Sequence, residues 1–243
     1  MAELAAAAVC SHVTAAAIHG LPVWRIGLAQ VHVTRARRSG ARRGRLVHVH
    51  AAALAPPELD VVAGLPVTTP ARTVVDVART VPFEPAVAVA DAALRAGLVT
   101  LEELAEALAR AAHRPGAPAA RRVVAFADGR SESVGESRSR VAIARAGLPT
   151  PVPQWAVRDH RGRLVGRTDF GWPQLRTVGE FDGRVKYSTL LRPGQTAADA
   201  LVAEKRREDA LRAEDLAVVR WTWPDLANFT PVAASLRRRF RPV

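Results

Sequence analysis

The stretch RLVGRTDFGWPQLRTVGEFDG, residues 163–183, contains two runs in which apolar and polar side chains alternate. Alternation with a period of two is typical of β-strands that bury one face in a core. Phe170 and Trp172 lie on the even-numbered face of the first run, and Phe181 lies on the odd-numbered face of the second. These faces suit a core. The opposite face of the predicted hairpin then carries three acids, Asp169, Glu180 and Asp182.

A two-residue turn at positions 173–174 would set the register of this hairpin. It pairs Asp169 with Val178 and places Asp169 diagonal to Glu180, with roughly 7 to 8 Å between their backbones. Carboxylates at that separation can converge on one divalent cation, because Mg²⁺ and Mn²⁺ prefer oxygen ligands. We therefore predict a metal site formed by Asp169, Glu180 and Asp182. The alternative is a solvated hairpin whose acids bind nothing.

The flanking sequence predicts an α/β domain. A helix over ESRSRVAIARAG ends at Gly147, and three strands follow it. A long helix over TAADALVAEKRREDALRAED, a fourth strand over LAVVRWTW and a terminal helix complete the order. The continuous apolar run of the fourth strand indicates that both its faces are buried. A polar break near ADGRSESVGES separates this domain, residues 131–243, from the preceding residues 1–130.

The runs GESRSRVAIARAGLPTPVPQWAVRDHRGRLVGRTDFGW, VGEFDGRVKY and EKRREDALRAEDLAVVRWTW resemble the very-short-patch-repair-like branch of the PD-(D/E)XK nucleases. This resemblance implies a restriction-endonuclease-like mixed sheet flanked by helices. It also implies a DNA endonuclease that uses Mg²⁺ or Mn²⁺ to hydrolyse a phosphodiester. By the same resemblance Asp169 and Glu180 hold the metal, Glu136 is an accessory acid and Arg207 lies near the phosphate.

One departure from the family pattern concerns the catalytic lysine, whose place two residues after the glutamate is taken by Asp182. Transition-state charge would then be stabilised by the metal, Lys186 or Arg207. Glu136 has a second interpretation, since Ser133 and Glu136 have the spacing of a capping box. Arg207 also has a second interpretation, since acids at helical spacing would form local ion pairs with it. Whether the chain is an enzyme is left open.

The first part of the chain contains two alternating strands, residues 29–36 and 44–52, joined by the glycine-bearing segment RRSGARRG. We predict a basic-tipped hairpin that grips the DNA backbone as a winged helix does, because arginine forks fit phosphate oxygens. A solvated flexible turn is the alternative. The predicted DNA-binding residues are Arg35, Arg37, Arg38, Arg42, Arg43 and Arg45.

Helices are predicted after this hairpin, the first capped at Thr69 with Pro70 following, and a later one with Thr100 and Glu103 as a capping box. The segments SHVTAAAIHGLPVW, GLPVTTPARTVVDVART and AVADAALRAGLVTLEEL resemble the AbiEi-type antitoxins, whose N-terminal winged helix binds operator DNA. The sequence begins part-way through such a module. The resemblance implies a truncated winged-helix-like and helical part, and a non-catalytic DNA-binding regulator as the alternative function.

The composition of the whole chain limits which partners and which cellular locations these interpretations allow. A net charge of +12 and a pI near 11.4 favour an anionic partner such as DNA. The single Cys10 excludes an internal disulfide and predicts a cytoplasmic location. No apolar run approaches the roughly 18 residues of a membrane span. His32, His48 and His50 lie on neighbouring strands and could together hold a metal, but no carboxylate or cysteine accompanies them, and we interpret them as strand packing.

Overall fold

Two mixed sheets, one of six strands and one of four, organise the chain. The computed structural model describes residues 8–37, 40–183, 207 and 209–241. The chain divides into two compact units, Met1–Val134 and Gly135–Val243. Arg38, Lys186 and most of the predicted long helix lie outside the described residues. Within the described part, no helix is both long enough and apolar enough to cross a bilayer.

The sheet of the first unit has the strand order β3-β4-β2-β1-β6-β5. Strand β1 pairs with β2 antiparallel and with β6 in parallel, while β5 and β6 form an antiparallel pair. Strands β3 and β5 are the two edges. The strands are β1 (Val9–Cys10), β2 (Val31–Arg35), β3 (Arg42–Arg43), β4 (Val47–Ala51), β5 (Leu59–Val62) and β6 (Leu65–Thr68).

The predicted basic hairpin is wrong in one respect, because β2 and β4 run parallel rather than antiparallel. Their register pairs His32 with His48 and Thr34 with His50. The short strand β3 lies on the far side of β4 and pairs with it antiparallel. Alternation in sequence specifies which face of a strand is buried, but it does not specify the direction of its partner. The connection, residues 36–46, is long enough for the chain to return to the starting end of β2.

Helices of the first unit surround α2 (Pro70–Thr80), whose valines at positions 74, 75 and 77 are fully buried. Pro70 begins α2 as predicted, since a missing N–H costs nothing at the first helical position. The capping box at α4 is also confirmed. There Thr100 Oγ1 accepts from the Glu103 N–H at 3.1 Å and Glu103 accepts from the Thr100 N–H at 2.8 Å. The other helices are α1 (His12–Ile18), α3 (Phe83–Arg95), α4 (Leu101–Arg110) and α5 (Ala117–Phe126).

The predicted order of the second unit is helix, three strands, helix, strand and helix, and the described elements of this unit follow it. Its sheet has the order β10-β9-β8-β7, in which β10 and β9 are parallel and the other pairs are antiparallel. Gly147, with φ of +63°, follows the first helix as expected. Residues 209–213 are helical. The named elements are α6 (Val134–Arg145), β7 (Val152–Arg158), β8 (Leu164–Trp172), β9 (Thr177–Asp182), β10 (Ala217–Thr222) and α7 (Thr230–Arg239).

The turn between β8 and β9 is longer than the predicted two residues. A single 3₁₀ turn, Pro173–Leu175, is followed by Arg176 in the left-handed region, with φ of +46°. Trp172 consequently pairs with Thr177. The register differs from the prediction by two residues, and a shift of two leaves every side chain on the same face. Phe170, Trp172 and Phe181 therefore reach the predicted core.

Both faces of this sheet are covered. On one face Phe170 and Trp221 stack with ring centroids 5.4 Å apart, and Ile143 of α6 and Leu236 of α7 join the same cluster. On the other face Leu211, in the helical segment 209–213, packs with a second cluster that contains Val178. Glu180 has the parity of Val178, so the acidic face lies beneath the segment that carries Arg207 and Leu211.

Candidate functional site

Asp169 lies in the middle of a row of polar residues, Gln154, Asp169 and Glu180, that crosses the sheet of the second unit. The two ladders that flank it pair Phe170 with Pro153 on one side and with Gly179 on the other. Continuing both ladders by one residue places Gln154 and Glu180 on either side of Asp169. Asp169 and Glu180 thus each lie next to the last pair of the β8–β9 ladder, and Val178, the predicted partner of Asp169, is paired with Gly171.

Hydrogen bonds extend this row to the preceding helix. The buried Glu136 accepts a hydrogen bond from Gln154 Nε2 at 2.8 Å. Gln154 has a φ of +53°, a left-handed conformation that costs a non-glycine residue about 1 kcal/mol or more. Asp169 Oδ2 accepts from the backbone N–H of Phe181 at 2.9 Å. The structure therefore brings the predicted residues Glu136, Asp169 and Glu180 to one region of the sheet.

Two arginines neutralise Glu180. Arg207 Nη1 lies 2.6 Å from Glu180 Oε1, and Arg220 Nε lies 2.9 Å from Oε2. Each carboxylate oxygen thus accepts a charge-assisted hydrogen bond. Arg207 was predicted to lie near a phosphate, and Arg220, which projects from β10, was not predicted. A lone arginine in an apolar strand was the sequence signal for it, since a charge there needs a partner.

Asp182 ends β9, where it is paired in register with Thr222 of β10. Lys186, the candidate for stabilising transition-state charge, lies outside the described residues. The carboxylates of Asp169, Glu180 and Asp182 do not form a group whose ligand atoms all lie within 4.8 Å of one another. The predicted Mg²⁺ or Mn²⁺ site at these acids stays a prediction.

The basic segment of the first unit runs from Arg35 to Arg45. Its five described arginines are all exposed. Arg43 Nε donates to Gln30 Oε1 at 3.1 Å, and Arg37 donates to the Gly40 carbonyl at 3.4 Å. None of the five forms an ion pair with another described residue. They are Arg35, Arg37, Arg42, Arg43 and Arg45.

Arginines in the core of the first unit behave in the opposite way. Arg72, only 1% exposed, donates to Asp76 Oδ2 at 2.6 Å and to Glu58 Oε1 at 2.8 Å. Arg79 donates to the other oxygen of Asp76 at 2.6 Å. Burial raises the pKa of the Asp76 carboxyl, but the cations around it, including Arg72 and Arg79, outweigh burial and hold the pKa below its usual range. This network joins α2 to the 3₁₀ turn Pro56–Glu58 and is structural.

A histidine cluster also lies in the first unit. His32 Nδ1 and His50 Nε2 are 3.1 Å apart, and His12 of α1 stacks on His50 with ring centroids 3.6 Å apart. His48 stacks on His50 from the other side, at 4.1 Å. His12 was missed by sequence reasoning because α1 reaches these strands only in the folded chain.

The cluster lines a cavity of about 290 Å³. Burial lowers the pKa of His12 to about 3 and that of His50 to about 4. The pKa values of His32 and His48 are also lowered, first by burial and then by nearby cations that include Arg43. All four rings are therefore neutral at pH 7.

Comparison with known proteins identifies the class of the first unit. Residues 7–126 match the AbiEi antitoxin C-terminal domain. The matched residues contain the six-stranded sheet and the helices around α2, and the match agrees with the AbiEi-type resemblance predicted for this part of the chain. The matched domain is the C-terminal one of that family, so the predicted truncated winged helix is not confirmed.

Relatives are found in Mycobacterium tuberculosis. Uncharacterized protein MT2308 and uncharacterized protein Rv2248 are each 34% identical to this chain over 187 residues, which is 72% of this chain and 67% of the relative. The chain belongs to the family of these mycobacterial proteins. No solved structure matches it. The domain match ends at residue 126, and none of these matches supports the resemblance of residues 131–243 to a nuclease.

Proposed function

We propose that this protein is a non-catalytic DNA-binding regulator of the AbiEi antitoxin type. The observation that carries the proposal is the match of residues 7–126 to the AbiEi antitoxin C-terminal domain. The net charge of +12 agrees with a polyanionic partner. DNA binding and the antitoxin role are both inferences from this match and this charge.

The exposed arginines supply the contact surface in this proposal. Arg35 ends β2 and Arg42 lies on the edge strand β3, so these side chains extend from the rim of a sheet. Because no acid in the described chain is paired with them, phosphates need displace only water and counterions. Contacts of this kind fix the position of a protein on DNA and read no base sequence.

The ion pairs at Glu180 favour a regulator over an enzyme. A cation bound at Glu180 would lie beside two guanidinium charges, because each oxygen of Glu180 accepts from one of them. Asp182 also stands where the nuclease pattern has its lysine, which adds negative charge where catalysis needs positive charge. Arg207 and Arg220 together cancel the charge that would attract Mg²⁺.

The test compares two triple variants by fluorescence anisotropy on labelled duplex DNA over a series of salt concentrations. Arg37→Gln/Arg42→Gln/Arg45→Gln removes three charges from the basic segment. The control Arg121→Gln/Arg161→Gln/Arg238→Gln removes three exposed charges elsewhere. We expect the slope of log K against log salt to fall by up to about 3 in the first variant and to change little in the control.

Two outcomes would overturn the proposal. In one, the wild-type protein binds no duplex DNA even at low salt. In the other, the two triple variants lose equal affinity, which would make the interaction a response to net charge alone. Because both variants lose the same charge, a difference between them reports position on the molecule.

A nuclease is the second candidate, favoured by the row that joins Glu136, Gln154, Asp169 and Glu180 across one sheet. In this candidate Asp169 and Glu180 hold Mg²⁺ or Mn²⁺, with Asp182 assisting and Lys186 or Arg207 near the phosphate. Supercoiled plasmid with Mn²⁺ should then be nicked by the wild type and left intact by Asp169→Ala. Absence of nicking with any divalent metal would leave the regulator.

A further inference from the structure

The feature with no role in the proposed function is the histidine cluster of the first unit. Among the described side chains, His12, His32 and His50 are the only group of three or more His, Cys, Asp or Glu residues whose ligand atoms all lie within 4.8 Å of one another. Three separate elements, α1, β2 and β4, bring them together. We infer that these three imidazoles bind a transition-metal ion of the Zn²⁺ class.

One nitrogen–nitrogen distance already fits such an ion, and all three nitrogens lie within 4.8 Å of one another. Nitrogen ligands at about 2.0–2.1 Å from a tetrahedral Zn²⁺ are about 3.3 Å from one another. The His32 and His50 nitrogens are already 3.1 Å apart. One of these two nitrogens carries a proton in the hydrogen bond that joins them. On metal binding that proton moves to the other nitrogen of the same ring, which is an ordinary tautomer change.

The third ligand is held in place by hydroxyl groups. His12 Nδ1 lies 2.9 Å from Ser11 Oγ, which accepts a hydrogen bond from Thr34 Oγ1 at 2.8 Å. When Nδ1 carries the proton and donates to Ser11, the lone pair of Nε2 is left for a metal. A hydrogen-bond acceptor at the other ring nitrogen commonly fixes the tautomer of a metal-bound histidine.

The backbone at His12 supports a site of this kind. Its φ is +53°, although it is the first residue of a helix. A left-handed conformation is strained for a non-glycine residue, and such residues are concentrated at functional positions. The buried imidazole at this position contacts the rings of His32 on β2 and His50 on β4.

Charge and space define the fourth coordination position. The Asp76 carboxylate acts favourably on protonated His12 and His50, and the same field favours a metal cation, while Arg79 and Arg43 oppose it. Arg43 lines the cavity of about 290 Å³ beside the cluster. Three neutral ligands leave an open position. Water or hydroxide there would face Arg43, whose charge complements an anionic ligand.

The test uses the full chain, stripped of metal and then dialysed against Zn²⁺ or Co²⁺. We expect one ion per chain, a raised Tm, and with Co²⁺ the visible absorption of a tetrahedral nitrogen-ligated ion. His32→Gln and His50→Gln should weaken Zn²⁺ binding by at least about tenfold. His113→Ala and His160→Ala, which remove exposed imidazoles, are the controls and should bind as the wild type does.

A second measurement on the wild type covers variants that fail to fold. In NMR spectra Zn²⁺ should shift the ring ¹⁵N resonances of His12, His32 and His50 and leave those of His113 and His160 in place. Failure of the wild type to retain stoichiometric Zn²⁺ or Co²⁺, or ring shifts confined to His113 and His160, overturns the inference. Equal affinity in folded His50→Gln and wild-type protein does so as well.

Discussion

Arg207 donates to Glu180 across 2.6 Å, so a residue predicted to contact a phosphate instead contacts a predicted metal ligand. Arg220 occupies the second oxygen of the same carboxylate. The side chains of Arg207 and Arg220 are 27% and 34% exposed, and that of Glu180 is 10% exposed. Both ion pairs lie at the edge of the core, where water reaches the two arginines more easily than it reaches Glu180.

These ion pairs predict how the second unit responds to divalent metals. We expect millimolar Mg²⁺ or Mn²⁺ to leave the Tm of the wild type unchanged, because the charges of Arg207 and Arg220 repel a cation at Glu180. In Arg207→Gln/Arg220→Gln the carboxylate of Glu180 loses its two neutralising charges, and Mn²⁺ should raise the Tm. Differential scanning calorimetry with and without metal checks both. A metal-dependent rise in the wild type would contradict the first expectation and favour the nuclease.

The buried network at Asp76 predicts a large loss of stability. Asp76→Ala leaves Arg72 with Glu58 as its one acidic partner and removes the ion pair of Arg79, and we expect a loss of about 3–5 kcal/mol in the free energy of unfolding. Glu106→Ala removes a mostly exposed acid of α4 and should change the free energy of unfolding by less than about 0.5 kcal/mol. Urea denaturation compares the two. A loss for Asp76→Ala as small as that of the control would show that the network adds nothing.

The same carboxylate predicts the direction of the pH dependence. Because the pKa of Asp76 is lower in the folded than in the unfolded state, its contribution to stability is complete above the unfolded pKa, about 3.9. The contribution is lost as the pH falls through the folded pKa. Unfolding free energies measured from neutral pH downward should therefore decline more steeply below pH 4 for the wild type than for Asp76→Asn. Parallel curves would contradict this assignment.

Gly135, the second residue of α6, predicts a steric limit. A Cβ at this position would fall inside the ring of Phe181, and the backbone of α6 cannot approach β9 with any larger residue. Gly135→Ala should cost about 1–3 kcal/mol in unfolding free energy through overpacking. At Gly166 the nearest atom to a new Cβ is Arg207 Cγ at 3.5 Å, an ordinary contact, so Gly166→Ala is the matched control. Chemical denaturation of both variants decides, and equal stability would refute the close approach.

Local features of the fold were predictable from sequence. The capping box at Thr100 and Glu103 depends on two side chains three residues apart, and the glycine after α6 depends on one left-handed position. Alternation assigned Phe170 and Trp172 to the core even though the turn was longer than expected. A turn that adds two residues preserves the face of each side chain, so the assignment survived an error in register.

The candidate sites were predictable only in part. Glu136, Asp169 and Glu180 were named from sequence, and the row that joins them depends on Gln154 of a different strand. Arg220 pairs with Glu180 because β10 lies beside β9 in parallel, an arrangement between segments about forty residues apart. No local pattern specifies such a pairing, since its free energy is distributed over the whole sheet.

The sequence by itself determined the order of the described elements of the second unit, the buried faces of β8 and β9 and several helix ends, because these follow from contacts within a few residues. Only the tertiary structure decided the parallel direction of β2 and β4, which brings His50 beside His32 and under His12. Strand direction depends on which partners complete the sheet and on the length of the connection between them. These contributions to the free energy come from residues far apart in the chain, and they act only once the chain has folded.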